Sequence, residues 1–159
     1  MQWKNANWVI QLKNEFLQPL PGRAAQIDFA PPERRSQINN MVFPETARQS
    51  AVALILSGSA DTSPELLLIK RTEYKGVHSG QIALPGGKKE PNDRSMLDTV
   101  LREVHDELGI ALHPDHLLGA LSPLHIPVSG YTVHPFVFAL EQWPLFVREE
   151  KEVAEVILA

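Results

Sequence analysis

Three carboxylates, Glu103, Asp106 and Glu107, crowd the end of the stretch GGKKEPNDRSMLDTVLREVHDELGI (86–110). Spacings of three and four residues put them within reach of one another on a helix. Acids so placed repel each other and meet the unfavourable end of the helix dipole. Either they form a solvated acidic face, or a cation belongs among them. A hard cation such as Mg²⁺ or Mn²⁺ takes clustered carboxylate oxygens and keeps waters that a phosphate can replace. The chemistry this opens is metal-assisted attack of water on phosphorus.

Several elements must position these acids. A helix is expected over 94–108. Its core stripe is Leu97, Val100, Leu101, Val104 and Leu108, which leaves the three acids on a neighbouring, non-core side. Gly109 follows where a left-handed residue closes a helix. Gly86 and Gly87 precede the helix by a polar loop. They suit close approach of the backbone to phosphate or metal, and equally an ordinary tight turn. Apolar runs predict strands at 50–58 and 65–71, paired as a hairpin, and a short strand at 80–84. Further strands are expected at 116–126 and 131–140 around a Val-Ser-Gly turn, and at 152–159. An apolar stripe in 3–17 predicts an N-terminal helix, and 18–47 reads as a long Pro/Arg-rich connection pinned to the surface. The order of elements shows no regular βαβ alternation, so the fold class is α+β with a mixed sheet, in one domain over 1–159. The last apolar strand raises the expectation of a further helix to cover the sheet.

Composition narrows the partners. Nineteen acidic against fifteen basic residues give a net charge of −4, which argues against nucleic acid and anionic membranes. The chain has no cysteine, so thiolate catalysis, disulfides and Cys-ligated zinc are excluded. The N-terminus lacks the pattern of a signal peptide and no apolar run is long enough to span a membrane, so a cytoplasmic protein is expected. No Walker phosphate loop and no nucleophile elbow is present.

The run Arg102, Glu103, Val104, His105, Asp106, Glu107, Leu108, Gly109, Ile110 resembles the end of the Nudix box. That box marks hydrolases that split a nucleoside diphosphate linked to another group. Asp106 stands where the box has a glutamate. Upstream, Gly87 is followed by five residues, Asp93 and eight more before Arg102, one residue longer than the common spacing. The segment LLIKRTEYKGVHSGQIALPGGK (67–88) is similar to the mark of the coenzyme A pyrophosphatase branch, which also has the longer loop with an aspartate. Leu67, Leu68, Arg71, His78, Gly80, Gln81, Pro85, Gly86, Gly87 and Lys88 agree with it, whereas Ile69, Thr72 and Leu84 differ. SGYTVHPFVFAL (129–140) and PPERR (31–35) also look like segments of that branch.

The resemblance implies a Nudix α/β/α sandwich with a mixed central sheet, the box spanning 86–110. It implies metal-dependent hydrolysis of coenzyme A or acyl-CoA to 3′,5′-ADP and (acyl-)4′-phosphopantetheine. Glu103, Asp106 and Glu107 would hold Mg²⁺ or Mn²⁺, with Arg102 bracing a glutamate or the loop. Arg71, His78, Gly80, Gln81, Gly86, Gly87 and Lys88 fall in the segment that would meet substrate. For Arg71 a surface ion pair competes with a phosphate clamp, and for His78 a backbone hydrogen bond competes with a phosphate or base contact. Glu149, Glu150 and Glu152 include candidates for one further carboxylate, against the reading of a solvated turn. The alternatives are another nucleoside diphosphate derivative, such as ADP-ribose, a dinucleotide or a modified nucleotide, or a module that binds without cleaving. The partner expected is a small molecule, with neither nucleic acid nor membrane; a homodimer stays open.

Overall fold

The computed structural model describes residues 4, 6–39, 42–59, 63–73 and 80–159. Its centre is a mixed sheet. β1 (Arg48–Ser57) pairs in parallel with β7 (Tyr131–Leu140) over its whole length, from Arg48 opposite Tyr131 to Ser57 opposite Leu140. On its other side β1 meets two antiparallel partners. Its end pairs with β2 (Glu65–Arg71), as the expected hairpin, and its first half pairs with β4 (Gly86–Lys88). β2 also carries β3 (Ile82–Ala83) and β8 (Val153–Leu158), while β7 carries β5 (Leu117–Ala120) and β6 (Leu124–Ile126). This is the α+β sandwich that the sequence predicts.

Strand alternation gives the sheet two apolar faces. Ala51, Ala53, Ile55 and Phe138 are fully buried in one core with Val100, Val104 and Leu108 of helix α4 (Met96–Leu108). Each Ile, Val, Leu or Phe side chain among these contributes roughly 1.5–3 kcal/mol on burial. Ala139 points to the opposite face, where it packs with Ala6 and Val9 beside α1 (Asn7–Phe16). α4 starts at a capping box: Ser95 accepts from the Asp98 N–H, and Asp98 accepts from the Ser95 N–H. It ends at Gly109, which is left-handed with φ 67°.

Three expectations are corrected. The 18–47 segment is not one connection, since it forms two short helices, α2 (Arg23–Asp28) and α3 (Pro32–Asn39). Pro32 occupies the first turn of α3, where its missing N–H costs nothing. The strand predicted over 116–126 is two strands, β5 and β6, with Ser122-Pro123 between them. Pro123 has no N–H to give to a ladder. The strand expected at 80–84 shrinks to Ile82–Ala83.

Candidate active site

Helix α4 and the glycine turn meet over β1. Gly86 sits at φ 144°, and a Cβ there would run into the Ala51 backbone. Only glycine lets the turn lie against β1 in this way. The Gly86 N–H then donates to Glu107 Oε2 at 2.8 Å. A Cβ on Gly87 would stand 2.5 Å from the Glu103 carboxyl carbon. The two glycines thus make room for the two glutamates.

Glu107 is not on a solvated face. Its side chain is 2% exposed, a correction to the wheel, which placed it beside the core and not in it. Burial pushes its pKa up to about 7, against the Gly86 N–H, and the charges of Glu103 and Glu152 add to the rise. Arg71 at the end of β2 approaches its other oxygen at 3.9 Å. Glu103 is also raised by burial, opposed by Arg102, with Glu152 and Asp106 adding repulsion.

Arg102 is the local organiser. Its Nε donates to Asp93 Oδ1 at 3.1 Å, and NH2 donates to Asp93 Oδ2 at 3.0 Å and to the Lys88 carbonyl at 2.9 Å. Its NH1 lies 3.1 Å from Glu103 and 3.6 Å from Asp106. Asp93 is buried and also accepts from Thr99 Oγ1 and the Glu90 N–H. The Arg102 guanidinium holds the Asp93 carboxyl well below the usual carboxylate range, and Asp93 in turn raises Arg102. The longer box loop therefore ends on a bidentate brace.

Asp106 is 58% exposed and turns toward Arg102 and His105. Among the described residues no group of three acid or histidine side chains is set to hold a metal. The donor chemistry nevertheless fits a hard cation: the charge of Glu152 reaches both Glu103 and Glu107, and all three offer only oxygen donors. Glu152 is the residue that sequence spacing could not single out. Its position comes from three distant backbone bonds. The Thr72 N–H donates to the Glu152 carbonyl, and the Val147 and Glu149 N–H groups cap the Leu108 and Glu107 carbonyls at the end of α4. The strap so formed lines a cleft of about 380 Å³ with Asp106, Glu149, Lys151 and Glu152.

The remaining expected contacts are spread along the rim. Gly80 is left-handed at φ 68°, beside the Glu73 side chain. The Gln81 carbonyl accepts from the Arg71 N–H at 2.9 Å. Lys88 is exposed and pairs through its backbone with Ser50. His78 lies outside the described residues.

An acid-bearing helix behind a double-glycine turn, laid on a mixed sheet, defines a class of phosphate-handling folds. A NUDIX domain matches residues 47–156, and the chain belongs to the Nudix family. It is 38% identical over 112 residues to the uncharacterized Nudix hydrolase NudL of Yersinia pestis, covering 70% of this chain and 55% of that protein. The chain thus spans about half the length of the curated relatives it matches. Among solved structures, the MutT protein of Methanosarcina mazei is 28% identical with a TM-score of 0.52, covering 69% of this chain and 74% of that one. A MutT/nudix family protein from Enterococcus faecalis shares the fold at 18% identity and a TM-score of 0.60, covering 94% of this chain and 54% of that one.

Proposed function

We propose that this chain hydrolyses the diphosphate of nucleoside diphosphate derivatives, with coenzyme A or acyl-CoA as substrate. The observation that carries the reading is the buried Glu107, held by the Gly86 N–H beside Glu103. Buried carboxylates whose pKa is pushed up in this way cluster at functional sites. The coenzyme A assignment is supported by the 67–88 segment and by Asp93, whose longer loop reaches Arg102.

Glu103 and Glu107, with Asp106 and Glu152 at the rim, would hold Mg²⁺ or Mn²⁺, which supplies charge neutralisation and water activation at phosphorus. The chain's own groups do the rest. Gly86 fixes one Glu107 oxygen and leaves the other toward Arg71. Arg102, anchored by Asp93, keeps Glu103 in place against the repulsion of its neighbours. Glu152, whose charge reaches both glutamates, is the carboxylate proposed to take the proton from water. Arg71, half-exposed, is free to turn its fork to a phosphate oxygen.

The test is a product assay with coenzyme A, ADP-ribose, NADH and a modified dNTP, each with Mg²⁺ and with Mn²⁺, read by mass. Fastest release of 3′,5′-ADP from coenzyme A is the expected result. A faster diphosphate of another kind moves the substrate. Binding without cleavage of any of them overturns the enzymatic reading.

A further inference from the structure

On the α4 side of the sheet a row of polar side chains runs away from the glycine turn. Register fixes its course. Gly87 opposes Ala51, and Ala51 lies level with His134. Residues level with each other share a face, and the bare face of Gly87 points at Glu103. His134 therefore lies on the Glu103 side. Two residues along, Gln49, Thr132 and His125 are level across β1, β7 and β6. On that same face the side chains form two pairs. His134 Nε2 is 2.7 Å from Gln49 Oε1, and His125 Nδ1 is 3.2 Å from Thr132 Oγ1. From β4 to β6 the row crosses about three strand spacings, or ~14 Å.

At its far end His125 forms part of the wall of a groove of about 790 Å³ between β6 and the α2–α3 pair. That volume lies within the roughly 300–1,000 Å³ of small-molecule sites. Its lining is mostly apolar and includes Ala25, Ile126 and two of the most exposed large apolar side chains, Phe29 at 92% and Val128 at 83%. The chemistry at the acids does not use it.

We propose that this groove receives the arm of the substrate beyond the diphosphate, an extended chain of amide and alkyl groups with an apolar end, laid across Gln49 and His134. The inference rests on the diphosphate reading above and names the part of the substrate that this face selects. The row has amide, hydroxyl and imidazole groups, which both donate and accept and so match amides. Burial lowers the pKa of His134, so its ring is neutral at pH 7 and suits an amide better than a phosphate. The length of the row suits an acylated pantetheine arm, whereas a terminal ribose stops short of the groove.

The test uses the full chain in two settings. In EDTA, octanoyl-CoA is titrated into labelled protein and the His125 and Ile126 NMR signals are followed. They are expected to shift, while ADP-ribose leaves them in place. Ala25→Phe, which fills the groove, and Val128→Asn are expected to weaken octanoyl-CoA binding ~10-fold and leave ADP-ribose binding unchanged. With metal, the same variants should raise KM for octanoyl-CoA and leave kcat alone. Unshifted His125 and Ile126 signals in the wild-type protein would overturn the proposal, whatever the variants do. Shifted signals with no 3′,5′-ADP released under Mg²⁺ or Mn²⁺ would instead sink the hydrolase reading and leave the groove assigned.

Discussion

At the β4 end of the sheet charge is tied down, and at the β6 end apolar surface is left open. Glu107, Asp93 and Arg102 each have named partners, and the glycine turn is shaped to them. Around α2 and α3, Phe29 and Val128 stand almost fully in solvent beside a groove. The first region stores electrostatic work in fixed positions, which is how a site stabilises developing charge. The second offers area and little direction, which is how a site selects by size and polarity. On this reading changes at the acid end move turnover, and changes at the groove move affinity.

The largest effect is expected from Glu107→Gln. Turnover should fall at least ~10³-fold, read by product formation with metal. The same variant should stabilise the protein in EDTA. Burial raises the Glu107 pKa from 4.5 to about 7, so the folded state keeps a proton that the unfolded chain releases. That contribution is complete below pH 4.5 and is lost as pH rises through about 7. It amounts to at most about 3 kcal/mol, so wild type and variant should melt together at pH 4 and differ by roughly 5–10 °C at pH 8. A wild-type protein that melts as high as the variant at pH 8 would break the picture of stored work.

Next is Gly87→Ala. Its Cβ displaces the Glu103 carboxylate, and kcat should drop ~10²-fold with the melting curve little changed, because a shift of ~1 Å is enough to misplace a catalytic group. Asp93→Asn should cost about 3 kcal/mol by leaving Arg102 half-paired, with a smaller loss of rate. Its sign with pH is opposite to that of Glu107. The Asp93 pKa is lowered from 3.8, so its contribution is present above that value and lost as pH falls below it, which a melting series from pH 6 to pH 2 would read. The smallest effect belongs to Asp106→Asn. That side chain is 58% exposed, and the change should alter stability by no more than ~0.5 kcal/mol and activity by a few fold. A loss as large as that of Glu107→Gln would show that Asp106 leaves Arg102 to join the other acids.

The acid end was legible because its signals are local. The spacing of Glu103, Asp106 and Glu107, the pair Gly86-Gly87 and the stop at Gly109 all lie within one stretch. The burial of Glu107 was not legible. A helical wheel places it beside Leu108 and Val104, and only the approach of Gly86 turns that flank inward. Glu152 was one of several acids in an exposed run, and its place depends on hydrogen bonds to Thr72 and to the end of α4. The groove was hidden for a similar reason. α2 and α3 are short and proline-marked, and they gain their form by lying against distant chain, as where Gln26 donates to the Pro123 carbonyl.

The parallel pairing of β1 with β7 joins both regions, and it brings together residues such as Ser50 and Thr132, 82 positions apart along the chain. Such a contact closes a long loop before it gains anything, which slows folding. On a ribosome the box stretch leaves the tunnel before β7 does. The acids and glycines are then present without the sheet that gathers them. Neither catalytic order nor selection by the groove can arise before β7 docks, and the acid end waits further for the strap that carries Glu152.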